Sequence, residues 1–163
     1  GKGKTTTGMG LCTRAAGSGL KVLIYQFMKN NSTCERTAME RIPGITFVNG
    51  LAQEKFSFQM TDAEKKARKD YYEAQFSMVT EKADQEGYQV LFLDEIIYTI
   101  RAGLFSEDLL LNWLQNKPEQ MEVILTGQNP SPKLIELADY VSEIRKIKHP
   151  FDQGLPARRG IEC

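Results

Sequence analysis

The sequence predicts an α/β fold of three layers, a mostly parallel sheet with helices on both faces. Short apolar runs recur along the chain, stretches of helical character separate them, and several runs are apolar without alternation. A strand covered on both faces has that last pattern, because neither side meets water. Strands alternating with helices in turn imply parallel pairing.

The elements follow in chain order. Residues 5–17 read as a helix that opens on a glycine-rich loop and ends near Gly17. "KVLIYQF" (21–27) is the first strand and "GITFVN" (44–49) the second. Residues 62–86 form a long charged helix that Asp62 can cap, and "YQVLFLDE" (88–95) is a buried strand. A helix from Ser106 to Asn116 stops ahead of Pro118, whose ring cannot continue it. "MEVILTG" (121–127) is a strand, 131–139 a short helix, and "YVSEIRKI" (140–147) a fifth strand. No repeat, low-complexity tract or linker interrupts the series, so the 163 residues are expected to form one domain, 1–163.

The bulk numbers exclude more than they assert. With 21 basic and 21 acidic residues the formal charge is zero, which argues against general attraction to nucleic acid. Arg145, Lys146, Lys148, Arg158 and Arg159 nevertheless make the C-terminal end basic, as a solvated surface or as an anion site. No apolar run approaches the ~20 residues that span a membrane. Three cysteines without CxxC spacing and a single histidine argue against a disulfide framework, a zinc site or a His-rich metal centre. A reducing, cytoplasmic compartment is the expectation.

"GKGKTT" (1–6) resembles the end of a phosphate-binding loop, G-x-x-x-x-G-K-[ST], whose first glycine would fall ahead of Gly1. Gly1, Lys2 and Gly3 would turn backbone N–H groups onto phosphate oxygens, and the helix that follows adds its positive end. Lys4 would meet the outer phosphates, the Thr5 hydroxyl would bind Mg2+, and Thr6 completes the motif. The tripeptide GKT is common by chance; its partner is what gives it weight. "VLFLDE" sets Asp94 and Glu95 at the end of a buried strand, where a Walker-B acid must sit to hold magnesium opposite the loop. Parallel sheets place ligands at the C-terminal ends of their strands, and both motifs fall there. No guanine-reading NKxD motif occurs, which favours ATP.

Loop and acid together say triphosphate and magnesium, and leave open which bond breaks. The remaining stretches speak to that. "GKGKTTTGMGLCTRAAGSGLKVLIYQFMK" resembles the opening of the ATP:corrinoid adenosyltransferases, with their GNGKGKTT loop, Arg-Ala pair and Gln-Phe-x-Lys strand end. "LDEIIYTIRAGL" (93–104), "VILTGQNPSPKLIELADYVSEIRKIKHPFDQG" (123–154) and "ARRGIE" (157–162) resemble later blocks of that family in the same order.

The resemblance implies a P-loop NTPase fold of the RecA-like type. It also implies transfer of the 5′-deoxyadenosyl group of ATP to the cobalt of a reduced corrinoid such as cobalamin, with triphosphate released. The bond broken is then C5′–O, and Lys4, the loop amides and magnesium at Thr5 and Glu95 serve the leaving group, with Asp94 supporting the metal or a loop residue. Phe56 and Phe58 in "EKFSFQM" match the aromatic pair that closes the lower face of the corrin and excludes its axial ligand. The family often has Phe-x-Trp there; the bland reading of the pair is core packing. Arg14 matches a helix arginine expected near the nucleotide, and Gln128 stands where the family usually has arginine. Gln26 and Lys29, at the end of the first strand, and Thr126 and Gly127, at the end of another, occupy positions where ligand residues tend to be placed. His149 is expected to make a structural hydrogen bond rather than bind cobalt. A homodimer and a flavoprotein electron donor such as flavodoxin are implied as partners. The alternatives are a P-loop ATPase or small-molecule kinase acting on the γ-phosphate, and an ATP-sensing module without turnover.

Overall fold

In the computed structural model, which describes residues 2–55 and 57–161, four parallel strands form one sheet in the order β2-β1-β3-β4. The strands are β1 (Val22–Gln26), β2 (Ile45–Phe47), β3 (Val90–Asp94) and β4 (Glu122–Leu125). The central pair, β1 and β3, is buried at every position, whereas β4 begins on the exposed Glu122. Unalternating apolar sequence and burial on both faces thus coincide where they were expected to.

Side chains alternate between two cores. Val22, Ile24, Val90 and Phe92 face Met9, Cys12 and Ala15 of α1 (Lys4–Gly17). Leu23, Tyr25, Leu91 and Leu93 face the other way, onto Tyr72, Phe76 and Val79 of α3 (Asp62–Gln85) and Leu110 of α5 (Glu107–Asn116). Helices therefore cover both faces. α1 lies unusually close to the sheet. A Cβ on Gly8 would come 2.4 Å from the ring of Phe92, so hydrogen at that position sets the approach of helix to strand.

Three expectations need correction. The long helix is capped by Thr61, not Asp62: the Thr61 side chain accepts from Glu64 N while Glu64 accepts from Thr61 N, a reciprocal capping box. Two short helices went unforeseen, α2 (Cys34–Met39) and α4 (Ile96–Arg101), each too brief to show a helical period. Finally, 140–147 is not a strand. Residues 138–149 carry neither helix nor strand, and Tyr140 and Ile147 are 95% and 90% exposed. The physical reason lies in the pattern: Tyr140, Ser142, Ile144 and Lys146 would share one face, Val141, Glu143, Arg145 and Ile147 the other. Neither face is apolar throughout, so pairing would bury charge. The last helix, α6 (Pro132–Leu137), is capped by Ser131, whose hydroxyl accepts from Leu134 N.

Connectivity places the site. The chain leaves β1 for β2 on one side, then returns through α3 to β3 on the other. The strand order reverses between β1 and β3, and a crevice opens at their C-terminal ends. The register sets Gln26 directly beside Asp94 there.

Candidate active site

α1 starts abruptly. Gly3 caps it with φ 114°, in the left-handed region that favours glycine, and its carbonyl accepts from both the amide (2.8 Å) and the hydroxyl (2.8 Å) of Thr7. No side chain caps this helix and its first turn holds no acid, whereas α3 and α5 have both. Its N-terminal amides and positive dipole end are thus left without the usual side-chain cap, which suits an anion.

Asp94 is the hub of the crevice and is fully buried. Its Oδ1 accepts from the hydroxyls of Thr5 (3.0 Å) and Thr126 (2.6 Å). Its Oδ2 accepts from Gln26 Nε2 (3.1 Å) and from the ammonium of Lys29 (2.7 Å), and Lys29 also donates to Thr5 Oγ1 (3.0 Å). Every lone pair that burial removes from water is answered, as a buried carboxylate requires. Behind this layer, Gln26 Nε2 donates to Glu35 Oε1 (3.1 Å) and Gln26 Oε1 accepts from Thr33 (3.0 Å). Thr33 sits at the N-cap of α2, yet its hydroxyl serves Gln26 instead of the helix.

Glu95 follows with φ 63° at the start of α4, its amide donating to Thr126 Oγ1 (2.9 Å). Burial, and then the charge of Asp94, hold its carboxyl above the ordinary range, while Lys4 and Lys29 pull it back. The charge of Lys4 thus reaches Glu95 from the loop. Gly127, next along, is packed so tightly that a Cβ would come 2.5 Å from Tyr98 N. That approach keeps Thr126 against the acids.

The set of oxygens from Thr5, Asp94 and Glu95 suits a hard divalent cation, which magnesium binds through few protein ligands plus water and phosphate. A cation already sits among them: the Lys29 ammonium bridges Thr5 and Asp94. The residues fit magnesium on that evidence. Among the described residues no cluster of three or more His, Cys, Asp or Glu forms a different metal centre.

Beside the loop, a cavity of about 320 Å³ is lined by Lys2, Lys4, Gln128, Lys146, His149 and Phe151, with Asp152 at Lys146 (2.8 Å). Ile144 lies next to Gly3. The segment 144–152, though without regular structure to 149, thus runs along the glycine-rich loop. Such a cavity, rich in cations at a helix N-terminus, can take a polyphosphate.

The profile of the family described as ATP:corrinoid adenosyltransferase BtuR/CobO/CobP matches residues 1–163. The chain belongs to this family. A Corrinoid adenosyltransferase of Pseudomonas aeruginosa is 31% identical across 99% of this chain and 79% of its own length. That of Escherichia coli K12 is 32% identical across 99% and 81%, and the Corrinoid adenosyltransferase CobA of Salmonella typhimurium 30% across 99% and 81%.

Within this corrinoid adenosyltransferase chain the predicted residues divide. Lys4, Thr5, Asp94 and Glu95 converge, with Gly3 behind them, and Lys2 lines the adjacent cavity. Thr6 is exposed on the first turn of α1. Arg14 is not brought into the site: it is exposed in the last turn of α1, about 15 Å along the axis from Lys4 at 1.5 Å per residue. Gly1 and Phe56 lie outside the described residues. Phe58 sits on a 3-10 helix, Ser57–Gln59, and is 78% exposed, so core packing does not explain it. Its loop is tethered to α3, where Glu54 accepts from Tyr72 OH (2.9 Å) and pairs with Arg68. His149 makes the structural bond expected of it: its Nδ1 accepts from Phe151 N (3.1 Å).

The sequence reading missed Glu35, because α2 was not foreseen. The one available signal was the polar run Asn31-Ser32-Thr33 ahead of Cys34, a usual helix start.

Proposed function

We propose that this chain transfers the 5′-deoxyadenosyl group of ATP to the cobalt of a reduced corrinoid and releases triphosphate. The observation that carries this is the Thr5 hydroxyl bonded to the buried Asp94 at the strand ends, with the charge of Lys4 acting on Glu95 beside it, within a chain matched to the family from end to end. The finer fold we read as P-loop NTPase, RecA-like, in one domain. The phosphate loop, the strand-end acids and the switch between β1 and β3 support it.

The reduced cobalt of the substrate attacks C5′, and the C5′–O bond breaks with its electron pair leaving on triphosphate. Negative charge therefore builds on the polyphosphate rather than on a transferred phosphoryl group. Lys4 and the uncapped amides of α1 face that charge, and the cavity beside them adds Lys2 and Lys146. Thr5 and Glu95 would hold magnesium, with Asp94 fixing the Thr5 hydroxyl from behind. When bound, magnesium supplies two further positive charges to the leaving group. No protein nucleophile is needed. Glu95 has no water to activate in this reaction.

Phe58, with Phe56, would close the lower face of the corrin and exclude its axial donor, which makes reduction to Co(I) easier. The exposure of Phe58 supports this role over packing. A homodimer and a flavodoxin-type electron donor complete the proposal, on the family's pattern.

The test is direct: ATP, magnesium and chemically reduced cobalamin are mixed with the protein and the spectrum is followed for a cobalt–carbon bond. Its appearance supports the reading. Nucleotide turnover without it would leave an ATPase or kinase.

A further inference from the structure

Lys29 holds a position that the adenosyl-transfer chemistry does not use. Its ammonium lies 2.7 Å from Asp94 Oδ2, 3.0 Å from Thr5 Oγ1 and 3.5 Å from Glu35 Oε1, with its side chain only 22% exposed. Asp94 is fully buried and Lys29 is its only cationic hydrogen-bond partner among the described residues.

We propose that Lys29 is a placeholder cation: its ammonium neutralises Asp94 and pins the Thr5 hydroxyl before metal arrives, and magnesium must displace it. The inference rests on reading Thr5 as a magnesium ligand and deepens that reading. An ammonium holds these oxygens at hydrogen-bond distance, while magnesium requires its ligands at about 2.0–2.1 Å in a near-octahedral shell. Two cations sharing Thr5 Oγ1 would repel each other strongly in a buried site. Exchange follows, and Glu35 gives the released ammonium a carboxylate within reach on the same side.

The exchange has a consequence for selectivity. Metal alone must compete with a tethered cation, whereas metal arriving on a triphosphate brings further oxygens and a negative charge for Lys29 to meet. The site would then bind bare magnesium weakly, releasing the ammonium only at high metal concentration, and prefer the magnesium–nucleotide complex.

Lys29→Met and Lys29→Arg are compared with the parent by thermal melting, first in chelator and then in magnesium alone. Lys29→Met should melt lower in chelator, because Asp94 loses its counter-charge. It should bind magnesium alone about tenfold more tightly, as expected if the ammonium holds the site about nine-tenths of the time. Lys29→Arg should stay near the parent. A Lys29→Met protein with the parent's melting temperature in chelator and the parent's magnesium affinity overturns the placeholder. Should Lys29→Met not fold, the unsubstituted protein answers: labelling of Lys29 by an amine-reactive reagent, read by mass spectrometry, should rise when magnesium alone is added. Unchanged or reduced labelling overturns the proposal. The parent's response to magnesium–ATP separates the two levels. Affinity for ATP that ignores magnesium removes the metal site itself, and the placeholder with it; affinity that depends on magnesium, with Lys29→Met like the parent, removes the placeholder only.

Discussion

The ends of β1 and β3 and the stretch 138–161 are opposite solutions to placing functional residues. At the strand ends, register and burial do the work: Gln26 lies beside Asp94 because β1 and β3 are paired there, and each polar atom of Asp94 has a partner. In 138–161 almost every side chain is exposed, including Tyr140, Val141, Ile147 and Phe151. Yet "KHPFDQG" and "ARRGIE", within or beside that stretch, are among the blocks that most resemble the family. The contrast teaches that sequence specificity and structural rigidity are separate properties. The sheet supplies a polar crevice built around Asp94, and the tail lays Lys146 and His149 beside the glycine-rich loop.

Four substitutions break or sharpen this contrast, in falling order of effect. Lys4→Ala removes the loop cation proposed to serve the leaving group, and should lower the rate of adenosyl transfer about 10²–10³-fold, from Co(I) and Co(II) alike. A rate within a few-fold of the parent would separate the loop from the chemistry. Gly8→Ala should destabilise the protein by about 1–3 kcal/mol in denaturant unfolding, because its methyl would have to displace Phe92 or lift α1 from the sheet. An unchanged midpoint would mean the helix is not pressed onto β3 as described.

Phe58→Ala should slow the reaction that starts from Co(II) under a protein reductant by about tenfold, equivalent to about 1.4 kcal/mol of barrier. The reaction from preformed Co(I) should change less. Equal losses in both assays would count against closure of the lower face. Least of all, Tyr140→Ser should shift stability by no more than about 0.5 kcal/mol, since its ring is 95% exposed. A large loss in calorimetry would reveal that the tail is part of the core after all.

The parts legible in sequence are those fixed by local pattern. Unbroken apolar runs gave β1 and β3, the helical stretches 106–116 and 131–139 gave the places of α5 and α6, and GKTT with LDE pointed to the crevice. What was not legible depends on contacts between distant segments. Lys29 and Gln26 were visible as strand-end residues, but only the pairing of β1 with β3 shows them sharing Asp94. Glu35 depends on α2, six residues long and without a period. The strand expected at 140–147 does not form because neither of its faces would be apolar throughout. Arg14 lies away from the crevice for a simpler reason: helix rise carries it away from the loop that precedes it.

Phosphorus accounting after a single round of reaction tests the central claim most directly, that loop and strand-end acids stabilise an intact polyphosphate as it leaves ribose. With ATP, magnesium and Co(I) corrinoid, 31P resonance should show one triphosphate formed for each corrinoid alkylated and no ADP. Nucleoside diphosphate with orthophosphate, and a corrinoid still lacking its adenosyl group, would contradict it.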